Sequence, residues 1–271
     1  MNIYEYVRDF YERTKAEKEI IDKSIFGRNV YALKCGEGTP VGLAQYAMHG
    51  REYVTAKLAT EHFKRGVKRG SVWILPLVNP DGALLSEIGI STAPKEEREF
   101  LRELNGKEDF SLWKANGRGV DLNVNFAARW GKGAKNVFLP SAENYVGQSP
   151  FSEPESRALK EFTKRIRPNY TVSFHTKGEE IYWRFYQTKI RQERDGELAD
   201  AVSKATGYPL KDAKGSAGGY KDWCVQSLKI PAFTIEVGKD EYTHPLGDNA
   251  LQDIIKKNID VLDVLSKAYR I

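Results

Sequence analysis

The sequence has little of what several protein classes require. It contains 2 cysteines, Cys35 and Cys224, in 271 residues, so it can build neither a disulfide framework nor a four-cysteine zinc cage. Long apolar runs are missing. The longest, Val72 to Val78, is broken by Pro76 and falls far short of the ~20 residues a membrane-spanning helix needs. No Gly/Ser-rich linker, low-complexity tract or internal repeat divides the chain, and the expectation is a single domain over residues 1–271. The charge is not strongly of one sign. Lys+Arg total 42 and Asp+Glu 37, a net +5 with both signs interspersed, so composition carries no nucleic-acid footprint. The first residues, MNIYEYVRDFYERTK, lack an apolar h-region and read as an amphipathic helix, not a secretion signal. These absences predict a cytoplasmic protein with neither a membrane nor a nucleic-acid partner. They do not bear on oligomeric state.

What is present fits a globular core. The apolar share is 41%, aromatics 11% and charged residues 29%, which argues against disorder. A helix is predicted over 2–17, and mixed strand character over Ile25–Lys34. Five β-rich runs follow: Val41–Met48, Val72–Val78, Val120–Phe126, Tyr170–Phe174 and Ala232–Val237. Helical patterns cover 53–69, 95–104, 153–166, 191–206 and 248–268. For the helix at 153–166, Ser152 reads as N-cap with Glu155 completing a capping box, and Pro168 as the stop. Alternating strands and helices predict an α/β fold with parallel strands and helices on both faces of the sheet. Such sheets bind ligands beyond the carboxyl ends of their strands. His49, Asn79, Asp81, His175 and Glu236 all fall at such ends. The stretches 106–119 and 127–151 read as long loops, the second aromatic enough to form a wall of a cleft.

Histidines number 4. His49 and Glu52, three apart, share one face of a helical turn and can point at one ion; a surface pair is the plain alternative. His175 closes a second β-run, and its plain alternative is a buried histidine satisfied by backbone. Two His and one Glu leave a tetrahedral position open, as catalytic zinc sites do. Glu236 ends an apolar strand, where a carboxylate is costly without a partner or a task; a salt bridge to one of the many lysines is the alternative. His62 reads as a surface or core histidine, His244 as a rim candidate, and Cys224 as a packing residue.

Six motifs in order then carry a resemblance over most of the length: His49-Gly50-Arg51-Glu52, Asn79-Pro80-Asp81-Gly82, Gly119-Val120-Asp121-Leu122-Asn123, Ser152-Glu153-Pro154-Glu155, Ser173-Phe174-His175 and Thr234-Ile235-Glu236. The chain resembles the zinc carboxypeptidases of the funnelin family. The resemblance implies a zinc-carboxypeptidase-like fold with a mixed central sheet. It also implies one catalytic Zn2+ held by His49, Glu52 and His175, with Glu236 as general base. The family places an Arg after a Trp to hold the oxyanion. Here Lys114 follows Trp113, with Arg118 as a competitor for the role.

Two departures bear on substrate. The family's carboxylate clamp is Asn-Arg, but this chain reads Asn123-Val124, so Asn123 remains and the Arg that would grip a terminal carboxylate bidentately is gone. The family's mobile tyrosine falls on Lys214 and its pocket-selectivity residue on Lys221, with Lys177 close after His175. This lysine-rich set predicts a peptide or muropeptide substrate carrying an acidic group. The segments 175–183 and 216–223 resemble bacterial members that cleave the γ-D-glutamyl-meso-diaminopimelate bond of peptidoglycan peptides. A conventional metallocarboxypeptidase, a zinc N-acyl-amino-acid deacylase and a non-enzymatic binder on the same fold are the competing expectations.

Overall fold

Among the described residues, eight strands, numbered along the chain with the ranges given below, form one mixed sheet in the spatial order β1-β2-β4-β3-β5-β8-β6-β7. The computed structural model describes residues 1–270. In chain order the elements are α1 Ile3–Arg13, β1 Lys18–Lys23, β2 Asn29–Gly36, β3 Val41–Tyr46, α2 Val54–Arg65, β4 Ser71–Leu75, α3 Pro80–Glu87 and α4 Arg98–Asn105. They continue with α5 Pro154–Ile166, β5 Tyr170–His175, β6 Glu180–Tyr182, α6 Lys189–Thr206, β7 Leu210–Lys211, α7 Tyr220–Trp223, β8 Ala232–Glu236, α8 Asp248–Asn258 and α9 Val261–Ala268.

The central strands β4, β3, β5 and β8 run parallel to one another. Helices cover both sheet faces, so side chains on both sides of these strands are buried. Tyr46, Val172, Phe174 and Ile235 pack with α2, α6, α8 and α9 on one face. Leu43, Trp73 and Ala232 pack with α5 and α7 on the other. The α/β expectation, with a mixed sheet between helical layers, agrees with this architecture.

Several local expectations need correction. Residues 120–126 are not a strand; the segment makes a single 3-10 turn at Leu122–Val124, because the Asp121 carboxylate accepts from the Asn123 N–H and closes the chain on itself. Asn79 to Gly82 is the start of α3, with the Asn79 side chain capping the Gly82 N–H at 2.9 Å and Pro80 at the first helical position. Helix α5 begins one residue later than expected, with Glu153 at its N-cap and no side-chain cap bond. Ser152 is engaged elsewhere, donating to Glu153 Oε1 and accepting from Asn125 Nδ2. Residues 248–268 form two helices. Strands β1, β6 and β7 were not foreseen. All three are short or edge strands, and β1, Lys-Glu-Ile-Ile-Asp-Lys, carries the charge that suits an edge.

Candidate metal centre and cleft

The site lies beyond the carboxyl ends of β3, β5 and β8. His49 stands at the start of a 3-10 turn, Gly50–Glu52. Residues three apart eclipse in that helix, which brings His49 and Glu52 together. Gly50 is required by close packing. A Cβ there would meet the Gly82 carbonyl oxygen at 2.4 Å and the Trp113 carbonyl oxygen at 2.7 Å. The Gly50 N–H donates to the Lys114 carbonyl at 2.9 Å. The Asn79 amide donates to the Met48 and Ala115 carbonyls at 3.1 Å each. One side chain thus ties the residue before His49 to the residue after Lys114.

The three expected ligands converge. His49 Nδ1 lies 2.9 Å from Glu52 Oε1, His175 Nδ1 lies 2.8 Å from Glu52 Oε2, and the two Nδ1 atoms are 3.1 Å apart. Among the described residues this is the one group of three or more His, Cys, Asp or Glu side chains spaced to hold a metal. A tetrahedral zinc with bonds of about 2.0–2.2 Å spaces its donors roughly 3.3–3.5 Å apart. The two histidine nitrogens are close to that spacing, one ligand atom from each of the three residues lies within 4.8 Å of the others, and the two-nitrogen, one-carboxylate set suits zinc. All three side chains are buried. Burial raises the Glu52 carboxyl, but His49 and His175 outweigh it and hold it well below the carboxylate range. The cluster therefore keeps a buried anion, ready for a cation.

The family model described as "Zinc carboxypeptidase" matches residues 3–260. The chain belongs to the zinc carboxypeptidase family. It is 27% identical over 260 residues to the gamma-D-glutamyl-L-diamino acid endopeptidase 1 of Lysinibacillus sphaericus, covering 89% of this chain and 65% of that protein. It is 33% identical over 132 residues to murein peptide amidase A of Escherichia coli strain K12, covering 45% and 50%. The chain thus spans 65% or less of the length of these relatives. In fold it matches the murein-tripeptide amidase of Escherichia coli O157 with a TM-score of 0.65 at 22% identity, over 94% of this chain and 95% of that one. It matches bovine thrombin-activatable fibrinolysis inhibitor with a TM-score of 0.77 at 19% identity, over 98% and 96%. Family members use one catalytic zinc.

Around this zinc-carboxypeptidase cluster, Asp121 is a residue that sequence reasoning passed over. It is fully buried, with Oδ1 3.2 Å from His49 Nε2 and Oδ2 2.7 Å from Lys114 Nζ. A carboxylate on the far nitrogen of a ligand histidine fixes its ring and raises its basicity. Burial alone would push Asp121 up, yet Lys114 and His49 hold it well below the usual range. The available signal was its place inside a motif, directly before Leu122-Asn123. Lys114 is correspondingly held above the ordinary lysine value, the Asp121 carboxylate outweighing burial.

Glu236 ends β8 in register with His175 at the end of β5. Burial pushes its carboxyl up to about 7, with His175 opposing and Glu52 adding to the shift. From His49 and Glu236 a cleft of about 570 Å³ opens, a size that suits a small peptide. Lys114, Asn123, Lys214 and Lys221 line it, as does Val124. Lys214 is exposed at the rim, whereas Lys221 is buried and bonded to Asp222 Oδ1 at 2.5 Å. Asn123 is partly spent, its Oδ1 accepting from the Tyr220 N–H.

Two expected residues lie outside the cleft lining. Arg118 is exposed, and its backbone N–H is held by Asn116 Oδ1. The Lys177 ammonium turns to Asp240, bonding its Oδ1 at 2.7 Å. His62 is a core residue: Tyr46 O–H is 2.6 Å from Nδ1, and Nε2 is 2.8 Å from the Asn258 carbonyl. Cys224 is buried in the sheet-face core. The loop 127–151 forms a cleft wall through Gly133 to Asn136. It is laced to the neighbouring 215–218 segment by main-chain bonds, Ala134 N–H to Gly215 O and Gly218 N–H to Ala128 O, both 2.8 Å.

Proposed function

We propose that the protein is a zinc metallopeptidase that hydrolyses the γ-D-glutamyl-meso-diaminopimelate amide of peptidoglycan peptides. The observation that carries the reading is Glu236, a half-buried carboxylate with a raised pKa, lining the same cleft as His49 of the His49-Glu52-His175 cluster. The names of the Lysinibacillus and Escherichia relatives support the choice of bond.

His49, Glu52 and His175 would hold the metal. Zinc, when bound, lowers the pKa of water toward ~7 and polarises a carbonyl. Glu236 accepts the proton of the attacking water and delivers it to the departing nitrogen, a role suited to a carboxyl poised near neutrality. Lys114, fixed by Asp121, presents its ammonium toward the oxyanion that develops on the scissile carbonyl. Asp121 orients both His49 and Lys114, so one buried carboxylate couples ligand geometry to oxyanion stabilisation.

Val124 stands in the cleft where the family's Arg would clamp a terminal carboxylate. A ligand there meets an isopropyl group and not a guanidinium. That weighs against general release of C-terminal residues, the second reading. The deciding experiment is incubation of the zinc-loaded protein with L-Ala-γ-D-Glu-meso-diaminopimelate, with and without chelator, followed by mass spectrometry. Release of diaminopimelate, abolished by chelator, is expected. Release of ordinary C-terminal residues or of an N-acyl group, with the γ-bond intact, would replace this function with a carboxypeptidase or deacylase.

A further inference from the structure

The buried charge in the cleft is a pair, not a lysine alone. Lys221 and Asp222 both line it, both are nearly inaccessible, and Lys221 Nζ sits 2.5 Å from Asp222 Oδ1. Lys221 also donates to the Arg184 carbonyl at 3.0 Å, and Asp222 Oδ2 accepts the Gly219 N–H at 3.2 Å. An ammonium has three donors, and each carboxylate oxygen has two lone pairs. One N–H of Lys221 and one lone pair on each Asp222 oxygen are therefore left for a ligand. The lining lysines that make no ion pair among the described residues, Lys135 and Lys214, are exposed at the rim.

We propose that the Lys221–Asp222 pair recognises a zwitterionic amino-acid end on the substrate side chain, carboxylate to Lys221 and ammonium to Asp222. This rests on the diaminopimelate reading and deepens it. A simple acid placed here meets the Asp222 carboxylate as well as Lys221. A simple amine meets Lys221 as well as Asp222. Only a group bearing both charges side by side satisfies both partners. Burying an ion pair costs desolvation that an apolar pair of the same volume avoids, and this one lies where a ligand can use it. The lysine-rich expectation of a merely acidic substrate thus becomes a narrower requirement. The side-chain amine must be free as well as the carboxylate, so a diaminopimelate whose side-chain amine is acylated in a cross-link is rejected.

The test varies the substrate on the intact zinc-loaded protein. Four dipeptides are compared: γ-D-glutamyl-meso-diaminopimelate, the same with its side-chain amine acetylated, the same with its side-chain carboxyl amidated, and γ-D-glutamyl-L-lysine. Each loss of one charge is expected to lower kcat/KM roughly 10- to 100-fold, the size of one charge-assisted hydrogen bond. Equal cleavage of all four, within about threefold, overturns the inference and leaves the proposed function standing. In Asp222→Asn the penalty for acetylation should shrink while that for amidation persists, and Lys221→Met should do the reverse. If either variant fails to fold by circular dichroism, the substrate series decides alone. If no γ-D-glutamyl bond is cut, the proposed function fails. Calorimetry with Nα-acetyl α-amides of diaminopimelate, lysine and glutamate then judges the pair: tighter binding of the diaminopimelate derivative sustains the inference, and equal binding overturns it.

Discussion

His175 and Glu236 are register partners across the parallel strands β5 and β8, and the Val237 N–H donates to the His175 carbonyl at 2.8 Å. The proposed metal ligand and the proposed base are therefore adjacent rungs of one sheet. Their separation is set by the ladder, which holds strands about 4.8 Å apart, and not by loops. Proton transfer needs reach within a hydrogen bond or one water, and a ladder keeps that reach fixed.

Glu236→Gln should leave the zinc in place while lowering kcat by about 10²- to 10⁴-fold, the usual worth of a general base. Elemental analysis and steady-state kinetics on one sample check this. Wild-type turnover in the variant would remove Glu236 from the chemistry.

The pH profile should show an acid limb belonging to Glu236. Its carboxyl is raised from 4.5 to about 7, chiefly by burial, and a base must be deprotonated to act. Activity should therefore rise with pH. A bound dication pulls the carboxyl down, so the limb in kcat/KM should fall between 4.5 and about 7. Glu236→Gln should abolish that limb in whatever residual rate remains.

Asp121→Ala should do two things at once, because Asp121 touches His49 and Lys114. Zinc affinity should weaken about 10- to 100-fold, as when the partner of a ligand histidine is lost. Excess zinc should restore occupancy but not the full kcat, since Lys114 stays unanchored. Full rescue by zinc would limit Asp121 to the metal.

Glu155 links stability to pH. It is buried beside Asp81 and Glu153, and burial with Asp81 raises its carboxyl from 4.5 to about 8. Between these values the unfolded chain has lost the proton that the folded protein keeps. Its contribution is fully present below 4.5 and is lost as pH rises to about 8. Glu155→Gln mimics the protonated form and should flatten this decline, raising stability at pH 8 relative to pH 5 by a few kcal/mol. Urea denaturation at the two pH values measures it; parallel losses in both proteins would refute it.

The central strands were legible because burial on both faces writes them as apolar runs, as in Ser-Val-Trp-Ile-Leu of β4. Edge strands such as β1 carry no such signature, and β7, with 2 residues, is shorter than any periodicity. The convergence of His49, Glu52 and His175 into one cluster spaced to hold a metal was legible by type and spacing at strand ends. Asp121, Asn79 and Asp222 were harder. The first two matter through contacts distant in sequence, His49 with Asp121 and Met48 with Asn79, and Asp222 through the burial of its pair with Lys221, which the fold alone creates. Lys177 and Arg118 show the converse. Nearness in sequence to a motif does not aim a long side chain, and Lys177 turns to Asp240.

The bonds from Ala134 to Gly215 and from Gly218 to Ala128 join two neighbouring segments of the cleft lining by peptide groups alone. That seam needs no particular side chain at either end. The exposed lysines at 135 and 214 take no part in that lacing, so the rim's charge can be retuned at these two positions while the peptide-to-peptide seam stays as it is.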